Sequence, residues 1–213
     1  MVNLFPTILV GGPPHAGKSV LFYHLTQALR ARGIPHHILR ACPDGEGNWF
    51  QEGQPQQVST IRVKREGEWP PSFVKRVSQD LEYRCLPFLV DMGGRPTESE
   101  KSLFQLCTHS ILLLREDKPD DTRRWQKFIE EYNLLPLAQI ISEQNGTSRI
   151  TNVTPILQGT ITGLDRHQPM QEPDVLFDAL VELVAELFKG SHPDTSKKTY
   201  VEHAPTELTL DLE

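Results

Sequence analysis

Short apolar runs alternate along the chain with segments whose apolar residues recur every three or four positions, so the pattern predicts strands and helices in turn. Residues 7–10 are apolar and stop at Gly11-Gly12, which fits a buried strand closed by a glycine turn. A helix over 19–32 follows, with Leu21, Leu25, Ala28 and Leu29 on one face and Arg30, Arg32 and Gly33 forming its C-terminal end before Pro35. Residues 36–41 read as a second strand, 43–47 as a tight turn, and 48–71 as a Gln-, Gly- and Pro-rich surface excursion holding one strand at 58–63. A weaker helical pattern covers 73–83, and the apolar run 87–90 ends at an acid, Asp91. Beyond it the pattern predicts a helix over 98–107, a strand over 111–114, a helix over 122–132 and a strand over 137–141.

Residues 153–164 alternate Val, Ile and Leu around Gly159, which predicts a late hairpin or a bulged strand. The clearest helix spans 173–189, where Val175, Leu176, Leu180, Leu183, Val184 and Leu187 share a face fit to cover a sheet. The whole succession is that of an α/β fold, a mostly parallel sheet flanked by helices. Residues 1–190 are expected to form one domain and 191–213, which add nothing to a core, a flexible tail.

Composition narrows the function classes. With 22 Lys plus Arg against 28 Asp plus Glu in 213 residues, the net charge of −6 argues against bulk nucleic-acid binding. No apolar run reaches the ~18–20 residues of a membrane span, and the first residues lack a signal peptide's basic start and apolar stretch. A cytoplasmic protein is the expectation. Cys42, Cys85 and Cys107 have no paired spacing, and the pair His36-His37 has none of a metal site, so neither a disulfide framework nor a zinc site is predicted.

The residues that carry chemistry follow the first strand. Gly12, Pro13, Pro14, His15, Ala16, Gly17, Lys18 and Ser19 match the pattern GxxxxGK[ST] between a predicted strand and a predicted helix. That spacing lets backbone N–H groups curl round a phosphate at the positive end of a helix, a cradle that would extend to Val20. Lys18 is placed to reach the terminal phosphates of ATP, and Ser19 to give Mg2+ a hydroxyl oxygen. Asp91, at the tip of its strand, is the second candidate for the magnesium shell. It opens the sequence Asp91-Met92-Gly93-Gly94, in which the Gly94 amide is placed to sense a terminal phosphate and residues 95–100 to act as a switch.

The turn after the second strand supplies further candidates: Asp44 or Glu46 to orient an attacking hydroxyl or water, Arg40 to neutralise phosphate charge, Trp49 to stack on a planar substrate. Asp-Gly and Glu-Gly are equally ordinary turn formers. The basic stretch Arg62, Lys64, Arg65, Lys75 and Arg76 reads as a solvated face before it reads as an anion site.

The phosphate loop, the acid-tipped strand and the β-α alternation resemble the P-loop NTPase superfamily over residues 7–189. At a finer level GGPPHAGKS, RACPDGEGNW and FLVDMGG resemble the P-loop domain fused to, or encoded with, CRISPR-associated ring nucleases of type III systems. The resemblance implies a nucleotide-binding partner in antiviral signalling, with a ring nuclease or a cyclic oligoadenylate as its associate. The phosphate-loop roles pass to Gly12, Gly17, Lys18 and Ser19, and the acidic role to Asp91. The nuclease module itself is not found here. No Asn-Lys-x-Asp motif follows the strand ending at Ile141, where Ser142-Glu143-Gln144-Asn145 stands instead, so ATP rather than GTP is the expected nucleotide. An ATP-hydrolysing switch, a kinase whose acceptor sits near Asp44, Glu46 and Trp49, and a binder of a phosphorylated ligand without turnover all share this loop.

Overall fold

A computed structural model of the protein describes residues 5–41, 70–94, 101–166 and 174–191. In chain order it contains β1 (Thr7–Gly11), α1 (Lys18–Ala31), β2 (His37–Ala41), α2 (Pro71–Glu82), β3 (Phe88–Met92) and α3 (Lys101–Leu106). There follow β4 (His109–Leu114), α4 (Pro119–Glu131), β5 (Leu135–Glu143), β6 (Arg149–Asn152), β7 (Leu157–Thr162) and α5 (Val175–Gly190). The strands form one sheet in the order β2-β3-β1-β4-β5-β7-β6. All neighbours run parallel except β6, which is antiparallel to β7. The expected α/β fold, a mostly parallel sheet flanked by helices, is what the chain adopts.

The two faces of the sheet explain the apolar runs. Successive side chains of a strand point to opposite faces, and a parallel sheet with helices on both faces must be apolar on both. Ile8 and Val10 of β1, Ile111 and Leu113 of β4, and Ala138 and Ile140 of β5 pack with Leu21, Leu25 and Leu29 of α1 and with Leu180, Val184 and Phe188 of α5. The intervening Leu9, Val90 and Leu112 face the other way, onto Val77 and Leu81 of α2, Phe104 of α3, and Trp125 and Phe128 of α4. On that side Phe104, Phe128 and Tyr132 stack with ring centroids 5.1–6.4 Å apart. The site-bearing strands β1 and β3 lie inside the sheet, so their C-terminal tips are held from both flanks.

Helix ends follow local chemistry. After α1, Gly33 N–H donates to the Arg30 carbonyl at 2.9 Å and Ile34 N–H to that of Leu29 at 3.0 Å, the paired bonds of a Schellman stop. Asp174 caps α5, its Oδ1 accepting from the N–H groups of Leu176 at 3.0 Å and Phe177 at 2.9 Å. Pro119 opens α4 with Asp120 and Asp121 in the first turn, so this helix starts earlier than the apolar period alone predicts. β5 is longer than predicted for a related reason: Leu135 and Glu143 at its ends pair with β4 and β7 although half or more of the strand's positions are only partly buried.

The late hairpin takes in more sequence than the alternation at 153–164 indicates. Its first strand, β6, consists of largely exposed residues, and the register shifts between Ile150 and Asn152. Lys75 and Arg76 are exposed on α2. Asp44, Glu46, Trp49, Arg62, Lys64, Arg65, the strand at 58–63, the switch at 95–100 and the tail beyond Ser191 lie outside the described residues. Among the described residues no helix is long and apolar enough to cross a membrane.

Candidate phosphate-binding site

β1 runs straight into the loop and α1 leaves it, so residues 12–17 are fixed at both ends by buried structure. Pro13 and Pro14 carry no N–H, so past Gly12 the backbone donors of the loop are those of His15, Ala16, Gly17, Lys18 and Ser19. His15 and Gly17 both have left-handed backbones, φ 63° and 82°, and these turn the chain through the curl. Gly17 is also the N-cap of α1 and has no side-chain cap, so the positive end of the helix opens into the loop.

Three successive loop carbonyls meet cations. Lys18 Nζ donates to the Pro13 carbonyl at 2.8 Å, Lys118 Nζ to that of Pro14 at 3.1 Å, and Arg115 Nη1 to that of His15 at 3.1 Å. In a trans peptide the carbonyl and the following N–H point in opposite directions. The His15 and Ala16 N–H groups are therefore turned away from Lys118 and Arg115. Lys18 itself is buried, 8% exposed, with its ammonium folded across the loop where it would meet phosphate oxygens. Val20, which the sequence adds to the cradle, has its side chain in the core, and its N–H donates to the Gly17 carbonyl at 3.0 Å.

The acid lies on the neighbouring strand. β3 pairs with β1 so that Asp91 stands beside Val10, and Ser19 Oγ donates to Asp91 Oδ2 at 3.0 Å. On the other side β2 places Arg40 opposite Asp91, with Nη1 3.2 Å from the same oxygen. Gly94, at the end of the Asp91-Met92-Gly93-Gly94 stretch, lies so close to the loop that an added Cβ would stand 2.8 Å from Pro14 N and 2.9 Å from its Cα. The donor set fits magnesium, a hard cation that takes oxygen ligands, keeps several waters and relies on few protein groups. The concave, cation-lined loop likewise fits a polyphosphate.

A cavity of about 710 Å³ opens beside the loop. His15, Ala16 and Gly17 form one wall, Arg115 to Asp117 after β4 another, and the chain after β5 and β7, including Gln144, Asn145, Leu164 and Asp165, the rest. Its volume is that of an ordinary small-molecule site. Arg115 and Asp117 are joined at this rim by two hydrogen bonds of 2.8 and 2.6 Å, which hold the guanidinium above and the carboxyl below their usual values. The loop motif and the acid-tipped strand were legible in sequence. The rim was not: the signals at Arg115, Asp117 and Lys118 are single residues on a connection whose position only the strand order reveals.

No family model matches the sequence, and no curated protein does. Among solved structures, a plasmid partition protein from Borrelia burgdorferi B31 bound to AMPPNP superposes with a TM-score of 0.53 at 13% identity, covering 85% of this chain and 98% of that one. A plasmid partition protein from the same organism, at 13% identity and TM-score 0.53, covers 88% of this chain and 100% of its own. Bacillus subtilis MobB matches over 87% of this chain and 99% of its own with a TM-score of 0.39 at 15% identity. The likeness to the partition proteins is one of fold, that of the P-loop NTPases.

Proposed function

We propose that the protein binds ATP with magnesium in the loop of residues 12–19 and hydrolyses it, serving as a nucleotide-dependent switch. The observation that carries this reading is the hydrogen bond of 3.0 Å from Ser19 Oγ to Asp91 Oδ2. Two hard oxygens, one from the first turn of α1 and one from the tip of β3, meet at the C-terminal edge of a parallel sheet beside a lysine, where open α/β sheets take their ligands. The AMPPNP held by the partition protein of the same fold supports the choice of an adenine nucleotide.

In this reading the N–H groups of residues 15–19 hold the phosphates, and Lys18 exchanges the Pro13 carbonyl for a terminal phosphate oxygen. Ser19 and Asp91 supply oxygens to the metal shell, whose chemistry is to neutralise charge as the terminal phosphoryl group leaves. The nucleoside takes the cavity between the loop and the ends of β4, β5 and β7. Gly94 touches Pro14 closely, so a shift of the occupied loop is felt at the end of β3, and that supports a switch.

The resemblance to the ring-nuclease-associated domain adds the finer proposal that the switch serves type III antiviral signalling, with a ring nuclease or a cyclic oligoadenylate as partner. The test is magnesium-dependent phosphate release from ATP by wild type, Lys18→Ala and Asp91→Ala, with and without cyclic oligoadenylate and a panel of nucleoside acceptors. Release lost in both variants and independent of an acceptor supports the switch. ADP formed only when an acceptor is present, with the phosphoryl group recovered on that acceptor and not as free phosphate, replaces it with a kinase. Binding without release leaves a phosphate-ligand module, and no binding at all refutes the site.

A further inference from the structure

Two donors converge on one oxygen of Asp91. Ser19 Oγ reaches Oδ2 at 3.0 Å from the loop, and Arg40 Nη1 reaches it at 3.2 Å from β2. The strand register brings Arg40 there, since Arg40 and Asp91 are paired neighbours across β2 and β3. Both side chains are sheltered, 11% and 8% exposed, and the guanidinium lies over the Phe22 ring with its carbon 5.4 Å from the ring centre. The carboxylate and the aromatic face offset part of what it costs to take a guanidinium out of water.

The same Asp91 oxygen, with Ser19, is what the proposed function assigns to a divalent cation. A guanidinium and a dication crowded on one carboxylate repel each other, and low local dielectric sharpens the repulsion. We infer that Arg40 is an internal counter-cation: it holds Asp91 when no metal is present and gives it up when a magnesium nucleotide binds, so that Arg40 sets how strongly nucleotide binding depends on metal. Arg40 is thus a positioning residue that acts through Asp91. Asp91 stays oriented toward Ser19 in the empty protein, at the expense of a competitor that every incoming metal must displace. This inference rests on the nucleotide reading above.

The test is the affinity of the full chain for AMPPNP by titration calorimetry, with magnesium and in EDTA, for wild type, Arg40→Met and Arg40→Lys. The ratio of the two dissociation constants, EDTA over magnesium, should rise on the order of tenfold in Arg40→Met, which keeps a stem to pack on Phe22 but has no charge, and stay near the wild-type ratio in Arg40→Lys. A merely structural role would shift both constants together and leave their ratio alone. An unchanged or smaller ratio in a cooperatively melting Arg40→Met overturns the inference while the nucleotide reading stands; wild type that fails to bind AMPPNP overturns both. Should Arg40→Met not fold, the Arg40 Nε–H resonance of wild type decides: magnesium with AMPPNP must shift it away from its position with AMPPNP in EDTA, and coincident signals refute displacement.

Discussion

Replacing Gly17 with alanine tests the site's architecture more sharply than removing a charged side chain does. Gly17 has φ 82°, where an alanine backbone is strained by roughly 1–2 kcal/mol. An added Cβ would also stand 2.7 Å from Leu164 Cβ and 3.0 Å from its Cδ1, a crowding that typically costs about 1–3 kcal/mol when the neighbour must move. Together these make Gly17→Ala about 2–5 kcal/mol less stable than wild type. Gly33 separates the two contributions: its φ is 65°, and nothing lies within 4 Å of the position a Cβ would take. Gly33→Ala should therefore lose only the backbone part, about 1–2 kcal/mol. The assay is urea unfolding at 25 °C, with equal m-values as the condition for comparison. If Gly17→Ala costs no more than Gly33→Ala, the chain after β7 does not close on the phosphate loop and the cavity between them is not the nucleoside site.

Other consequences are simpler to state. Asp174→Ala should cost about 1–2 kcal/mol in the same assay because Leu176 and Phe177 lose their cap, and Asp174→Asn, which keeps an accepting oxygen, should cost less. Burial lowers the imidazole values of His36 and His109 below the ordinary 6.5, so the unfolded chain binds protons that the folded one refuses. Stability should be level above about pH 7 and fall as pH drops from 6.5 toward the lowered values, and thermal melts of a His36→Asn/His109→Gln double variant should show a flatter profile there. Burial pushes the Cys107 thiol up to about 12, so in a Cys42→Ser background a thiol reagent at pH 8 should modify exposed Cys85 quickly and Cys107 only on unfolding.

Sequence pattern revealed this fold where one physical rule dominates and concealed it where two compete. The runs at Ile8–Val10 and Leu89–Val90 are apolar because helices cover both faces of the sheet, so they read as buried strands without ambiguity. α5 was equally plain, since one face of the helix meets the core. β6 was hidden because Arg149, Ile150 and Thr151 are exposed and, among the described residues, β7 alone pairs with the strand. α4 begins at a proline and two acids, a start signal in the residues themselves, but the apolar period does not emerge until Trp125. The loop motif and the acid-tipped strand are legible because each is a local pattern, and Arg40 is a candidate from its place at the end of the second strand; that Arg40 meets Asp91 and Arg115 meets His15, 51 and 100 positions away, is set by strand order.

That long-range support decides how this phosphate loop keeps its shape. Two prolines at 13 and 14 remove donors that a loop of this length would otherwise offer, and they leave rigid carbonyls in their place. Lys118 and Arg115 bind the carbonyls of Pro14 and His15, which turns the His15 and Ala16 N–H groups away from these two cations. In the proposed nucleotide site the two cations would thereby act on the ligand through the backbone. Arg115 and Asp117 form an exposed pair, and surface pairs contribute little to folding, so Arg115→Ala/Lys118→Ala should change urea stability by no more than about 0.5 kcal/mol. AMPPNP affinity should nevertheless fall on the order of tenfold, in magnesium and in EDTA alike, because the amides must be ordered at the moment of binding. A double variant that binds AMPPNP as wild type does would show that the prolines alone preorganise the loop. A loss confined to magnesium would instead place the two cations on the metal's side of the site, beside Asp91.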